Sequence, residues 1–274
     1  MTSRLTTNAL RVGIAGLGTV GKALALAMDH GLPGVILSAV AVRDPVSAGQ
    51  WLENLTRVPL ITSFEDMPHH CDVLVECAPA HLLPAIAEPM LRAGKVVVPL
   101  SIGALLNHMH LIDVARDHGG QIHVPTGALL GLDAVTAAAQ GTIDSVRMIT
   151  RKPVQGLLGA PYLVNNGIDI EHITEPVRIF VGTPRDAAIG FPANLNVAVA
   201  LSLAGIGPDK TTLEIWADPH LARNTHTIVV DADSASFTMT IENIPSANPK
   251  TGRITALSVI ALLQKMRAPL RVGS

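Results

Sequence analysis

The chain has 274 residues, of which 48% are hydrophobic, 15% charged and only 3% aromatic. This excludes a disordered chain and calls for a core of Ala, Val, Leu and Ile, in one large domain or two smaller ones. A net charge of −2 gives no general attraction to nucleic-acid backbones, and the two cysteines, Cys71 and Cys77, form neither a disulfide framework nor a C-x-x-C motif.

The mean hydropathy of +0.39 raises a membrane reading. The longest apolar stretches, Val96–Leu106 and Val197–Pro208, fall short of the roughly 18 residues a span requires. Met1–Arg11 is polar and basic and lacks the apolar region of a secretion signal. The expectation is a cytoplasmic protein with neither membrane nor nucleic-acid partners.

Arg11–Ala15 reads as a strand that runs into Gly16-Leu-Gly18-Thr19-Val20-Gly21, followed by a helical pattern from Val20 to Met28 and the turn Gly31-Leu-Pro-Gly34. Val35–Val42, Val58–Ile61, Asp72–Glu76, Lys95–Val98 and Gln121–Val124 are short, mostly β-branched runs. Segments of helical length lie between them, notably Pro79–Ala93 and Leu105–His118. Strands alternating with helices at this spacing predict a doubly wound parallel sheet over residues 1–125. Beyond it, Asp144–Arg151 and Val177–Val181 read as strands and Asn194–Leu203 as an apolar helix. Thr212–Ala217, Thr225–Ala232 and Ser236–Ile241 then follow with little helix between them, which predicts a mostly antiparallel sheet in a second α/β domain, 126–248. Ile254–Lys265 reads as a last helix, in a segment 249–274 expected to return to the first domain.

The glycine motif lies where a dinucleotide-binding turn requires it, after a strand and opening a helix. The first glycine permits the tight turn, the second lets the backbone approach a pyrophosphate, and the third permits close helix–strand packing. The end of the second strand offers both Arg43, suited to a 2′-phosphate or to stacking on adenine, and Asp44, suited to ribose hydroxyls or to starting a turn before Pro45. NAD and NADP both remain open. A metal site is not expected: His69-His70 falls in a polar turn, and His108 and His110 are two apart in a helical segment. Cys77 follows a strand and reads better as a small buried residue than as a nucleophile. His226, at the mouth of a strand, reads on residue type either as a hydrogen-bonded loop histidine or as a general acid–base. Asn194 and Asn196 read as helix caps or as amides presented to a ligand, and Arg151-Lys152 as a carboxylate site or an exposed basic pair.

Taken together, these segments resemble the L-aspartate dehydrogenase family. The resemblance is carried by Arg11-Val-Gly-Ile-Ala-Gly16-Leu-Gly18, Val73-Leu-Val-Glu-Cys-Ala78, Leu100-Ser101-Ile-Gly-Ala104, Pro125-Thr-Gly127-Ala128 and Arg151-Lys152-Pro153. Its most specific parts are Phe191-Pro-Ala-Asn194-Leu-Asn196-Val-Ala, Ala217-Asp-Pro219 with Asn224-Thr-His226, and Ala247-Asn248-Pro-Lys250-Thr. It implies a Rossmann domain joined to an α/β domain of the dihydrodipicolinate-reductase type, in a homodimer. The implied activity is NAD(P)-dependent conversion of L-aspartate to iminoaspartate, which hydrolyses to oxaloacetate and ammonia and can feed NAD biosynthesis. On this basis His226 is the expected catalytic residue. The expected cofactor positions are Gly16, Gly18, Thr19, Val20, Gly21, Arg43, Ala78, Ser101, Ala128 and Asn196. Lys152 and Asn224 are the candidates for the substrate, a small dicarboxylic amino acid. Another reductase of the same architecture and a non-catalytic NAD(P)-binding sensor are the competing readings.

Overall fold

The computed structural model describes residues 9–191, 195–245 and 252–273. They divide into two compact units. The first takes the described residues up to Pro125 together with Ala256–Arg271, and the second takes the intervening ones.

In the first unit, β1 (Leu10–Ala15), β2 (Val35–Ala41), β3 (Leu60–Ile61), β4 (Val73–Glu76), β5 (Val96–Pro99) and β6 (Gln121–Ile122) form one sheet in the order β3-β2-β1-β4-β5-β6. All five pairings are parallel. A parallel sheet is covered on both faces, so its central strands are mostly apolar, as in Val73–Val75 of the fully buried β4. The strands alternate with α1 (Thr19–Asp29), α2 (Pro45–Leu52), α3 (Met67–His70), α4 (Leu83–Arg92) and α5 (His110–His118). Val12, Ile14, Leu24, Val40 and Val75 build the core, and Val259 and Leu263 of the last helix pack into the same cluster.

Local chemistry corrects several helical expectations. Pro79–Ala93 is divided into a 3-10 turn, Ala80–Leu82, and α4, because Pro84 favours a helix start. Leu105–His118 likewise divides into a 3-10 turn, Ile102–Asn107, and α5. His108 and His110 therefore share no helix, and their rings meet edge to face with centroids 5.9 Å apart. His69 and His70 end α3 rather than occupying a turn.

In the second unit, β7 (Ile143–Lys152), β8 (Val177–Gly182), β9 (Thr212–Ala217), β10 (Asn224–Ala232) and β11 (Ser236–Asn243) form a mixed sheet in the order β11-β10-β7-β9-β8. Three pairings are antiparallel. The fourth, β7 with β9, is parallel and inserts β7 between β9 and β10, so the successive strands Thr212–Ala217 and Thr225–Ala232 are not neighbours. This unit also contains α6 (Leu132–Ala138), α7 (Pro161–Asn165), α8 (Pro184–Gly190) and α9 (Asn196–Ala204), and α10 (Ile254–Arg267) follows. In α8, a capping box links Thr183 and Asp186 across Pro184.

Candidate functional site

The turn from β1 into α1 brings Gly16, Gly18, Thr19, Val20 and Gly21 together. Gly16 has φ +98°, and a Cβ there would lie 2.7 Å from the Cys77 carbonyl oxygen. A Cβ on Gly21 would fall 2.0 Å from the Gly16 carbonyl oxygen. Both positions therefore need glycine for the protein's own packing. Gly18 differs, since no heavy atom lies within 4 Å of its would-be Cβ. It is the N-cap of α1 and offers no side-chain bond to the helix's first N–H groups, which lack intrahelical acceptors. The open space at Gly18 and the N-terminal donors of α1 together fit the pyrophosphate of a dinucleotide.

Glu76, at the end of β4, was not among the residues the sequence singled out. It is fully buried. Its Oε1 accepts the Ala78 N–H at 2.9 Å and the Ser101 hydroxyl at 3.0 Å, and its Oε2 accepts the N–H groups of Leu100 at 3.1 Å and Ser101 at 2.9 Å. Burial raises the carboxyl's pKa, while the Ser101, Ala78 and Leu100 bonds oppose that rise. Two of the expected cofactor positions, Ala78 and Ser101, are thus tied to one carboxylate across the ends of β4 and β5. An acid closing the apolar run Val73-Leu-Val-Glu76 was the available signal, because a buried carboxylate demands donors. Between these anchors, burial raises the Cys77 thiol well above its ordinary pKa, with the Glu76 charge adding to the effect. The thiol is held neutral, which deprives it of nucleophilic character.

Arg43 is exposed just beyond β2. Its neighbour Asp44 serves as the N-cap of α2, with Oδ1 accepting the N–H groups of Val46 and Ser47, both at 3.1 Å. Asp44 thus starts a helix at Pro45 rather than the turn expected there.

In the second unit, three of the expected residues meet at one end of the mixed sheet. His226 on β10 lies opposite Thr150 on β7, and its Nδ1 is 3.1 Å from the Thr150 hydroxyl. His226 is 3% exposed and Lys152 only 6%, so Arg151-Lys152 is not an exposed basic pair. Burial first, and the Lys152 charge second, lower the His226 pKa to about 3. Burial lowers that of Lys152 to about 8. Asn224 faces Asn243 across β10 and β11. The Asn243 amide nitrogen donates to the Ala128 carbonyl at 2.9 Å, which brings Ala128 to the same end of the sheet. Its Oδ1 is buried without a hydrogen-bond partner among the described residues, an acceptor suited to a ligand N–H. Asn196 is exposed as the first residue of α9; Leu195 takes the N-cap position, which corrects the capping alternative. Asn194 and the Ala247–Thr251 motif lie outside the described residues. No cluster of His, Cys, Asp and Glu among the described residues could hold a metal ion, and no described helix is long and apolar enough to cross a membrane.

A parallel sheet in the order 3-2-1-4-5-6, with a glycine turn at its first crossover and a polar cluster in a separate mixed sheet, defines a two-unit dinucleotide-binding architecture. Comparison with known proteins narrows this class. Residues 16–125 match the family model "Homoserine dehydrogenase, NAD binding domain", and residues 133–266 match "Aspartate dehydrogenase, C-terminal". The chain is 58% identical over its whole length to an L-aspartate dehydrogenase of Bradyrhizobium diazoefficiens, covering 98% of that protein. It is also 58% identical to L-aspartate dehydrogenase 3 of Bordetella bronchiseptica, over 97% of this chain and 98% of that one. The aspartate dehydrogenase structure from Thermotoga maritima shares the fold, with a TM-score of 0.74 at 20% identity over 96% of this chain and 99% of that one. The chain belongs to the L-aspartate dehydrogenase family.

Proposed function

We propose that the chain is an NAD(P)-dependent L-aspartate dehydrogenase, which oxidises L-aspartate to iminoaspartate that then hydrolyses to oxaloacetate and ammonia. The observation that carries this reading is the buried His226 at the polar end of the second sheet, in a chain 58% identical to proteins named for that activity. Gly16, Gly18, Thr19, Val20 and Gly21 are assigned to the pyrophosphate, and Arg43 to the adenosine end. Ala78, Ser101, Ala128 and Asn196 complete the cofactor positions. When bound, the cofactor supplies the hydride acceptor at nicotinamide C4.

His226 works as a neutral ring. In the tautomer whose Nδ1–H donates to Thr150, Nε2 keeps a lone pair for a substrate N–H or for the water that attacks the imine. Lys152 and Asn224 share its end of the sheet and are assigned to the substrate. Residues 1–125 with the last helix serve as the dinucleotide-binding domain, and 126–248 as the catalytic and dimerisation domain of a cytoplasmic homodimer. Supply of iminoaspartate to NAD biosynthesis is the corresponding cellular role.

The test follows the appearance of reduced cofactor with aspartate and NAD or NADP, against a panel of other amino acids. Turnover with aspartate above the panel is expected. Activity confined to an unrelated substrate would remove the assignment while leaving the fold untouched.

A further inference from the structure

The second unit buries one polar side-chain atom that has no hydrogen-bond partner among the described residues, Oδ1 of Asn243. β10 and β11 are antiparallel, with Asn224 opposite Asn243 and His226 opposite Ile241. Side chains alternate along a strand, so Asn224 and His226 share a face with Met239, Ile241 and Asn243, while Thr225, Thr240 and Glu242 take the other. The burial pattern of β11 agrees, since Thr238, Thr240 and Glu242 are exposed and the residues between and after them are not. The shared face is the covered one. A Cβ on Gly131 would run into the Met239 side chain, and the Asn243 amide reaches Ala128, three residues before that glycine.

The orientation of the Asn243 amide follows from its neighbour. A carbonyl oxygen only accepts, so Nδ2 must face that of Ala128, 2.9 Å away, and Oδ1 points elsewhere. The side chain is 4% exposed, so water does not readily supply the missing donor. Gly252, bridged to Pro245, lies beside the oxygen: a Cβ there would come 3.3 Å from Oδ1, and the glycine leaves that space open. A buried acceptor left unmatched is costly, and a ligand that brings a donor removes the cost.

The register decides which ligand group that donor belongs to. Asn243 is diagonal to His226 on the shared face, a spacing of about 7–8 Å that lets two side chains reach one small ligand. His226 meets Thr150 through Nδ1, so Nε2 is the nitrogen it presents to a ligand. Two acceptors flanking one position match a group that carries several N–H bonds. The α-amino nitrogen of an amino acid is such a group, whereas its carboxylates carry acceptors only and would be repelled by Oδ1.

Resting on the aspartate reading above, we propose that Asn243 is a specificity-determining residue of the substrate site, whose Oδ1 accepts a hydrogen bond from the α-amino group of L-aspartate beside His226. An amide does not titrate near neutrality, so the contact persists while ammonium, amine and imine succeed one another. It contributes alike to the bound substrate and to the transition state, and its loss raises KM more than it lowers kcat. It also favours an amino acid over a dicarboxylate without N–H bonds, because the latter leaves Oδ1 unmatched.

Calorimetry on the full chain tests this with NADH bound, because neither aspartate nor succinate reacts with the reduced cofactor and binding alone is read. Succinate keeps both carboxylates and lacks the amino group. The wild type should prefer aspartate. Asn243→Leu should lower that preference by about 10–150-fold, the effect of one hydrogen bond to a charged group, with succinate binding little changed. Asn243→Asp keeps an oxygen at the site and adds negative charge, so it should raise the preference, and it carries the test where Asn243→Leu does not fold. Circular dichroism checks both variants, and steady-state kinetics of Asn243→Leu should show the loss mainly in KM. Affinities for NADH and for ADP-ribose, which lacks the nicotinamide, should both stay near wild type. Equal wild-type affinity for aspartate and succinate, or a preference unmoved in the folded variants, overturns the proposal alone. So does a loss of NADH affinity that ADP-ribose does not share, which would give Oδ1 to the cofactor's carboxamide. Absence of aspartate turnover in the wild type overturns the substrate reading and the proposal together.

Discussion

Replacing Gly18 and Gly21 separately by alanine separates the structural from the ligand-binding use of the same turn. At Gly18, φ is −74° and nothing lies within 4 Å of the new methyl, so the fold accepts it without strain. Reduced freedom of the unfolded chain contributes about 0.4–1 kcal/mol, while alanine's poorer standing as an N-cap removes a comparable amount. The expected net change in stability is within about 0.5 kcal/mol, or roughly 2 °C in Tm for a chain of this size. The methyl nevertheless occupies the space through which a pyrophosphate reaches the α1 amides. A hydrogen bond to a charged group contributes about 1.5–3 kcal/mol, so losing one should weaken NAD(P)H binding by about 10–150-fold. At Gly21 the methyl would sit 2.0 Å from the Gly16 carbonyl oxygen, and α1 must shift away from β1. Overpacking of this kind costs about 1–3 kcal/mol, or roughly 2–12 °C in Tm. Thermal unfolding and titration of nicotinamide fluorescence measure both quantities. Unchanged affinity in a well-folded Gly18→Ala protein would refute the assignment of this turn to the cofactor.

His226→Ala should lower turnover about 10²–10⁴-fold with cofactor affinity nearly unchanged, measured by steady-state kinetics beside a binding titration. The same histidine affects acid stability: its folded pKa of about 3 lies below the 6.5 of the exposed ring, so the unfolded chain takes up its proton first as pH falls. Stability should therefore be lost between about pH 6.5 and 3, by up to about 1.4 kcal/mol per pH unit, and denaturant melts of His226→Gln should show a shallower decline. Glu76→Gln replaces an acceptor oxygen with an NH2 group facing backbone donors, a loss of about 1–3 kcal/mol in unfolding experiments, and should weaken cofactor binding as Ala78 and Ser101 lose their anchor. Because Asp44 is engaged as a helix cap, Arg43→Ala should raise KM for NADP more than for NAD, and equal effects on the two would count against Arg43 as a phosphate partner.

Much of the architecture is written in local pattern. Short β-branched runs mark the central strands of the first unit because a parallel sheet is apolar on both faces, and the spacing of Gly16, Gly18 and Gly21 marks the crossover because close packing requires glycine at the first and third positions and the second leaves the helix N-terminus open. His226 stood out through its sequence context rather than through any periodicity. Several small helices escaped notice because their signals are caps rather than repeats: Asp44 before Pro45, and Thr183 three residues before Asp186.

What only the tertiary structure decided depends on partners distant in the chain. The burial of Glu76 acquires meaning from Ser101, 25 residues away, whose amide and hydroxyl both point at it. The insertion of β7 between β9 and β10 is a choice of register among strands that look alike in sequence. That register puts Lys152 and His226 on one buried face, where desolvation strips the imidazole of its proton affinity and brings the amine's titration near neutrality. The sequence by itself determined which residues are chemically able to act. Their protonation is set by the apolar surroundings that folding supplies, because the cost of holding a charge depends on everything packed around it.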